Sequence, residues 1–301
     1  MKILITGSNG YIGSCLRETL EKKFDLINID KKKHIFSKKN FINLNLNSPK
    51  KIIKKLENQN IETIIHLAGE STIDNIENKN SNFENNVSAT KNLIKISNKL
   101  GINKIIFSST AAVYQGNSKL LSEKSKLKPN NIYGSTKLTC EKIIKKEFSK
   151  KNKSYIIFRF FNVCGSIIEK KIGEIHQPET HLIPILVSKM ISGNIFNIYG
   201  SNYQTKDGTC IRDYIHIKDL LSAYHKAIKL MKKSNVKETF NLGTGKGFSV
   251  LDIVSSSNKI IKKSKLKVNF IKKRKGDLPR LVCSGKKAEN ILKWKIKNSN
   301  I

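Results

Sequence analysis

The chain opens Met1-Lys-Ile-Leu-Ile-Thr-Gly7-Ser-Asn-Gly10-Tyr-Ile-Gly13, and this stretch decides the fold. Lys2 to Thr6 is a short run around Ile3, Leu4 and Ile5, suited to a strand buried on both faces. Three glycines follow at a spacing of three and three, then a helix-like run from Ser14 to Lys22. Strand, glycine turn and helix together make an anion site. The glycines let backbone approach a pyrophosphate, and the helix N-terminus supplies N–H groups and a positive dipole end. The spacing is G-x-x-G-x-x-G rather than the commoner G-x-G-x-x-G. Asp30 strengthens the reading, because it ends a second apolar run, Phe24 to Asp30, 17 residues after Gly13. A carboxylate there accepts hydrogen bonds from a ribose and repels a 2′-phosphate, so NAD is expected over NADP. Lys31, Lys32 and Lys33 follow at once and soften that preference.

Outward from this turn, strand-like and helix-like segments alternate. Phe41 to Leu46, Thr63 to Ala68, Lys104 to Ser108 and Tyr155 to Phe161 read as strands. Lys50 to Asn58 and Val87 to Leu100 have helical spacing, and a further helix is expected from about Ser135 to Phe148. Such alternation predicts an α/β fold with a doubly wound parallel sheet of Rossmann type and ligands at the strand carboxyl ends. The pattern loosens after Gly165, with Pro178 and Pro184 interrupting. Residues 1–165 are therefore expected to be the dinucleotide-binding domain and 166–301 a smaller α/β substrate-binding domain. The segment of about 212–243, which holds the strand-like Glu238 to Gly243, is expected to return to the first.

The 301 residues carry 57 basic and 23 acidic side chains, a net charge of +34. Such charge points first to nucleic acid or an anionic membrane. Only Arg17, Arg159, Arg212, Arg274 and Arg280 are arginine, however, and bidentate phosphate or base readout favours arginine. The lysines lie in many short clusters without a binding motif, so no nucleic-acid partner is expected. Five scattered cysteines without a C-x-x-C argue against a disulfide framework and for a reducing compartment. The N-terminal apolar run is too short for a signal peptide, and no run is long enough for a membrane span. A cytoplasmic protein with no membrane partner is expected.

Tyr133-Gly-Ser-Thr-Lys137 places a phenol and an ammonium four residues apart, on one face of a helix. The lysine would favour the phenolate and lower its pKa toward working pH, making Tyr133 a general base. Lys137 can also hold a nicotinamide ribose. Thr110, ending the preceding strand, can hydrogen-bond a substrate hydroxyl beside the tyrosine. Glycine turn, Asp30, Thr110 and the Tyr–Lys pair occur in the order such an enzyme needs.

This constellation resembles the extended short-chain dehydrogenases/reductases that act on nucleotide sugars. The second half narrows the resemblance to the UDP-glucose 4-epimerase family, through Gly208-Thr-Cys-Ile-Arg-Asp-Tyr-Ile-His216 with Asp219-Leu220, Pro178-Glu-Thr-His-Leu-Ile-Pro184, Asn241-Leu-Gly-Thr-Gly245 and Arg274-Lys-Gly-Asp-Leu-Pro279. Phe107 to Tyr114 and Arg159-Phe-Phe-Asn162 match as well. The resemblance implies that Tyr133, Lys137 and Thr110 are catalytic. It places Gly7, Gly10, Tyr11, Ile12, Gly13, Asp30, Asn45, Leu46, Ala68, Gly69, Asn86, Ser108 and Phe161 around NAD, together with Tyr133 and Lys137. It places Asn162, His181, Leu182, Asn197, Tyr199, Arg212, Arg274, Asp277 and Leu281 around a UDP-sugar, along with Thr110. A homodimer is expected.

The implied activity is inversion of C4 of a UDP-hexose, UDP-glucose to UDP-galactose, through a transient 4-keto sugar. Other UDP-sugars (UDP-GlcNAc/GalNAc, a UDP-uronate or a pentose) and a non-catalytic NAD-binding protein on the same fold are the alternatives. A 4,6-dehydratase needs an acid and a base after the catalytic threonine, where this chain has Ala111 and Ala112. Departures from the family are Asn45-Leu46 for Asp-Ile, Ser71 for a lysine, and His181 for an asparagine. In the family a tyrosine at the position of Leu281 narrows the sugar pocket, so leucine implies room beside C2. Glu174, His176, Glu179 and His181 have a spacing that matches no standard metal site, and are expected to be a polar edge of the substrate loop with no metal. His66, His216 and His225 are expected to be core histidines.

Overall fold

The computed structural model describes residues 1–32, 40–70, 84–116, 119–260 and 266–299. Strands β1 (Lys2–Thr6), β2 (Asp25–Asp30), β3 (Phe41–Asn43), β4 (Thr63–His66), β5 (Lys104–Thr110) and β6 (Ser154–Phe160) alternate with helices α1 (Tyr11–Leu20), α2 (Pro49–Leu56), α3 (Ala89–Lys99) and α4 (Ile132–Phe148). The second half adds β7 (Asn162–Cys164), α5 (Leu182–Ser192), β8 (Phe196–Tyr199), β9 (Ile211–Arg212), β10 (Tyr214–His216), α6 (Ile217–Lys233), β11 (Lys237–Leu242), β12 (Phe248–Ser249), α7 (Val250–Ile260), β13 (Val268–Ile271) and β14 (Arg280–Leu281).

Seven strands form one parallel sheet in the order β11-β6-β5-β4-β1-β2-β3. The apolar runs read from the sequence are its central strands, because both faces are covered. Leu16 and Leu20 of α1 pack with Leu220, Tyr224 and Met231 of α6 on one face. Ile52, Leu93, Ile144 and Phe148 of α2, α3 and α4 cover the other. Strand order reverses between β1 and β4, which opens a crevice beyond their carboxyl ends.

Within the segment of about 212–243, the last strand joins the large sheet. β11 runs beside β6 from Lys237↔Tyr155 to Leu242↔Phe160. Its neighbour β10 pairs with β7, directly after β6. Helix α5, β8 and α7 build a smaller core around Leu186, Met190, Ile198 and Ile253. The chain then comes back over α6. Trp294 is fully buried and its indole donates to Asp219 O and Ser222 Oγ, while the Asp219 carboxylate accepts from Lys297 N, Asn298 N and Ser299 Oγ.

Several element boundaries differ from the sequence reading, and two of the differences have a clear local cause. Helix α4 starts at Ile132, three residues before Ser135, because Asn131 caps it and its Oδ1 accepts from Gly134 N at 2.7 Å. Strand β3 stops at Asn43 rather than Leu46, where Asn45 Oδ1 accepts from Asn47 N at 2.9 Å and turns the chain.

His66 ends β4 with no exposed surface, and both ring nitrogens have partners. Nδ1 lies 2.8 Å from Thr6 Oγ1 and Nε2 3.0 Å from Thr90 Oγ1. Burial, with the Lys137 ammonium as a second cause, pushes its pKa down to about 3. The unfolded chain takes up this proton near pH 6.5 and the folded chain does not, so stability falls as pH drops from about 6.5 toward 3. The slope from this group is at most about 1.4 kcal/mol per pH unit. Urea titrations of wild type and His66→Gln between pH 7 and 5 should show a shallower acid decline in the variant. Parallel declines would remove His66 from the account. His216 instead caps α6, its Nδ1 accepting from Lys218 N at 3.1 Å, and His225 is half-buried on that helix.

Candidate active site

The turn after β1 is built by close approach. Gly7 has φ +72°, and a Cβ on it would stand 2.6 Å from Ala68 N, across the crevice. At Gly13 a Cβ would fall 2.1 Å from Gly7 O, so α1 begins directly against the turn. Gly10 is the N-cap, and the unpaired N–H groups of the first helical turn follow it. Tyr11 fixes this end of α1 by donating its hydroxyl to Gly165 O at 2.6 Å.

A cavity of about 310 Å³ lies over this turn and is lined by Gly7, Gly10, Tyr11, Asp30, Asn45, Leu46, Ala68 and Gly69. The Asp30 carboxylate is oriented by two backbone donors, Asn9 N on Oδ2 and Lys32 N on Oδ1, both at 2.9 Å. Lys31 reaches over to Glu70, 2.6 Å away, so this lysine is paired with a carboxylate. Asn86 sits behind Gly69 and lines neither this cavity nor the next. Its Oδ1 accepts from Glu70 N at 2.9 Å and its Nδ2 donates to Thr136 Oγ1 at 2.9 Å, which ties the loop after β4 to α4. Lys33 and Ser71 lie outside the described residues.

A second cavity, of about 350 Å³, joins the glycine turn to the smaller part of the molecule. Its wall carries Gly7, Gly10, Tyr11, Ile12 and Gly13 beside Ser108, Thr110, Tyr133 and Lys137. Thr110 ends β5, its Oγ1 accepting from Ala112 N at 3.2 Å, and it lines the cavity with Tyr133. Helix α4 can start close to β5 because residue 134 is glycine; a Cβ there would stand 2.3 Å from Ala112 O. Lys137 is buried and donates from Nζ to Ser108 O at 2.9 Å, with Nζ 6.0 Å from the Tyr133 ring centroid. The Ser108 hydroxyl is 2.5 Å from Tyr224 OH, so its carbonyl faces the lysine while its side chain joins the core.

Burial pushes the Tyr133 phenol up to about 12, and the Thr110 hydrogen bond works against it. Burial pushes Lys137 down to about 8. The lowered phenol expected from the Tyr–Lys spacing is therefore not what this site shows: desolvation by burial is the largest influence on it. Near neutral pH the pair is a neutral phenol beside a cation. Tyr133 is thus poised to share a proton rather than to stand as a free phenolate.

The same cavity is lined by Phe161, Asn162, His181, Leu182, Arg212, Asp277 and Leu281. Arg212 donates from Nη1 to Leu278 O at 2.7 Å, and its Nη2 is 3.3 Å from Asp277 Oδ1. These two charged groups, read separately from the sequence, are a pair. Leu281 lies beside Arg212 in the register of β14 and β9. Asn197, Tyr199 and Arg274 line neither cavity. They form a group on the β8–β13 edge, where the Arg274 guanidinium stacks 3.7 Å over the Tyr199 ring and Asn197 accepts from Asn269 at 3.3 Å. The turn of residues 274–277 links this group to Asp277 through Asp277 N, which donates to Arg274 O at 3.3 Å. Asn131, Phe160, Tyr214 and Leu278 also line the cavity. The sequence reading missed them, although Asn131, immediately before Ile132-Tyr133, carries a recognisable helix-cap signal.

Against known proteins, the sequence profile of the "NAD dependent epimerase/dehydratase family" matches residues 3–243. The chain is 35% identical over 310 aligned positions to a UDP-glucose 4-epimerase of Lactobacillus helveticus, covering 100% of this chain and 94% of that protein. It superposes on the crystal structure of UDP-glucose 4-epimerase from Brucella ovis in complex with NAD with a TM-score of 0.92, at 30% identity and over 99% of this chain and 94% of that one. The UDP-Glc/GlcNAc 4-epimerase from Campylobacter jejuni superposes with a TM-score of 0.81 at 30% identity, over 99% and 95% of the two chains.

Proposed function

Since this chain belongs to the NAD dependent epimerase/dehydratase family, we propose that it is an NAD-dependent UDP-hexose 4-epimerase that interconverts UDP-glucose and UDP-galactose. The observation that carries the reading is one cavity whose wall joins the glycine turn, the Thr110–Tyr133–Lys137 group and the Arg212–Asp277 pair. NAD fits the residues present. The Gly7 and Gly13 approaches leave a backbone cradle without side chains at the start of α1, and Asp30 stands at the ribose position with its carboxylate oriented. When bound, NAD supplies the hydride acceptor and donor for C4 of the sugar.

The chain's own residues do the rest. Tyr133 takes the proton of the 4-hydroxyl and gives it back after the keto sugar has turned. Thr110, which lines the cavity beside Tyr133, would hold that hydroxyl next to the phenol. Lys137 provides the positive charge that makes loss of the phenolic proton feasible, and its bond to Ser108 O keeps the ammonium under the tyrosine. Arg212 offers a planar donor to the diphosphate and would exchange Asp277 for it. Ala111 and Ala112 line the cavity where a dehydratase needs an acid and a base after the threonine, which speaks for epimerisation over elimination. No described helix is long and apolar enough to cross a membrane, and we place the protein in the cytoplasm as a homodimer, which sedimentation would read as twice the chain mass.

Purified protein incubated with UDP-galactose and no added NAD should form UDP-glucose. Heat denaturation should release a dinucleotide absorbing as NAD. Release of NADP, or no conversion after NAD is supplied, would defeat the assignment. Leu281 carries the reading of substrate width, since it lines the cavity as an aliphatic side chain without a phenol ring. Steric clash rejects a substrate more decisively than one methylene selects it. UDP-GalNAc should therefore be turned over by wild type, and Leu281→Tyr should lower its kcat/KM relative to UDP-galactose by about 10-fold or more. An unchanged ratio would put the boundary of the pocket elsewhere.

A further inference from the structure

We propose that Glu174, His176, Glu179 and His181 bind one divalent transition-metal ion, with zinc as the best fit. One ligand atom from each of these four side chains lies within 4.8 Å of every other. His181 Nδ1 is 2.6 Å and His176 Nδ1 3.5 Å from Glu174 Oε1, and each imidazole nitrogen is 3.7 Å from a Glu179 oxygen. Both Nδ1 atoms are shut off from water, yet neither has a hydrogen-bond partner.

Charge balance points the same way. The Glu174 side chain is only 8% exposed, and a buried carboxylate needs a cation. With metal bound, two carboxylates and two neutral imidazoles would carry two negative charges, which one divalent ion neutralises. Nitrogen and oxygen ligands in a four-fold set suit zinc. Bonds of about 2.1 Å in a tetrahedron set ligand atoms about 3.4 Å apart, near the separations of 3.5 and 3.7 Å; the shorter contact has to open by under ~1 Å.

The Glu179 carboxylate is already oriented. It accepts from His176 N at 3.3 Å, Thr180 N at 2.8 Å and His181 N at 2.9 Å, the kind of outer support that fixes a ligand. Glu174, His176 and His181 line the cavity of Tyr133, and His176 also lines the cavity over the glycine turn. The ion would fasten residues 174–181 across the seam between the two. With all four positions filled by protein the site is closed, and its role is to hold this loop rather than to take part in the chemistry.

Tag-free full-length protein, stripped with a chelator, should be titrated with Zn²⁺ in a calorimeter and with Co²⁺ in a spectrophotometer. The expected result is one equivalent per chain with Kd below about 1 µM, a visible Co²⁺ band of a tetrahedral site, and a melting temperature that rises with zinc. His176→Ala and Glu174→Gln should each weaken binding by at least the roughly 10-fold that loss of an outer partner alone can cost. Wild type decides the question by itself if a variant fails to fold. No uptake at tens of micromolar zinc, several weak equivalents in place of one, or variants that bind as wild type does would each overturn the site.

Discussion

Replacing Tyr133 with phenylalanine is expected to lower turnover of UDP-galactose by at least about 10²-fold, the usual share of a positioned acid–base group. The ring stays and the packing around it is kept, while the oxygen that meets Thr110 is lost. NAD content of the purified variant should hardly change, because the glycine turn and Asp30 are untouched. Lys137→Ala should act differently. Its ammonium lies under the phenol, and its Nζ would stand only 3.1 Å from a Cβ on Gly69, which lines the cavity over the glycine turn. Its loss should reduce turnover and dinucleotide content together. Steady-state assays and dinucleotide released per chain separate the two roles. Near-normal turnover in Tyr133→Phe would remove the tyrosine from the proposed chemistry.

The difference between these variants follows from what a linear sequence can carry. The glycine turn was legible because glycine answers a backbone requirement: Gly7 needs a positive φ and Gly13 tolerates no Cβ. The parallel sheet was legible from its apolar runs. The state of Tyr133 was not. The spacing of Tyr133 and Lys137 shows that they share a helix face, but it does not show that burial presses both toward their neutral forms. Pairings across the fold were equally invisible. Arg212 and Asp277 are 65 residues apart in the chain, and nothing local says that one holds the other. Asn86 looked like a cofactor contact by position, and only its bonds to Glu70 and Thr136 place it behind the loop. Glu174, His176, Glu179 and His181 come together within a loop, and their spacing in the chain does not show how close their side chains lie.

Glu141→Ala should destabilise the protein by about 3–5 kcal/mol, the cost of leaving a buried charge without its partner. Glu141 lies one helical step beyond Lys137 on the face that carries Tyr133. Its carboxylate takes both arms of Arg159, Nε at 2.8 Å and Nη2 at 2.6 Å, with side chains 1% and 2% exposed. Ser109, the residue before Thr110, donates to the same carboxylate at 2.5 Å. Arg159 also donates to Tyr114 OH at 3.0 Å, and Tyr114 in turn to Asn241 at 2.7 Å. One buried carboxylate thus fastens α4, β5 and β6 beneath Thr110, Tyr133 and Lys137, and Arg159 extends the tie to β11. Without it the guanidinium is stranded; Lys145, 3.8 Å from Glu141 Oε2, is a second cation and makes matters worse. A desolvated pair recovers little more than its own desolvation cost, so removing both charges should be far less damaging than removing one. Glu141→Leu with Arg159→Met should therefore regain more than half of the loss, with the remainder set by Ser109 and the other orphaned partners. Urea unfolding of the two single variants and the double variant closes the cycle. A double variant as unstable as the sum of the singles would show that shape and hydrogen bonds, not the stranded charge, hold the catalytic helix in place.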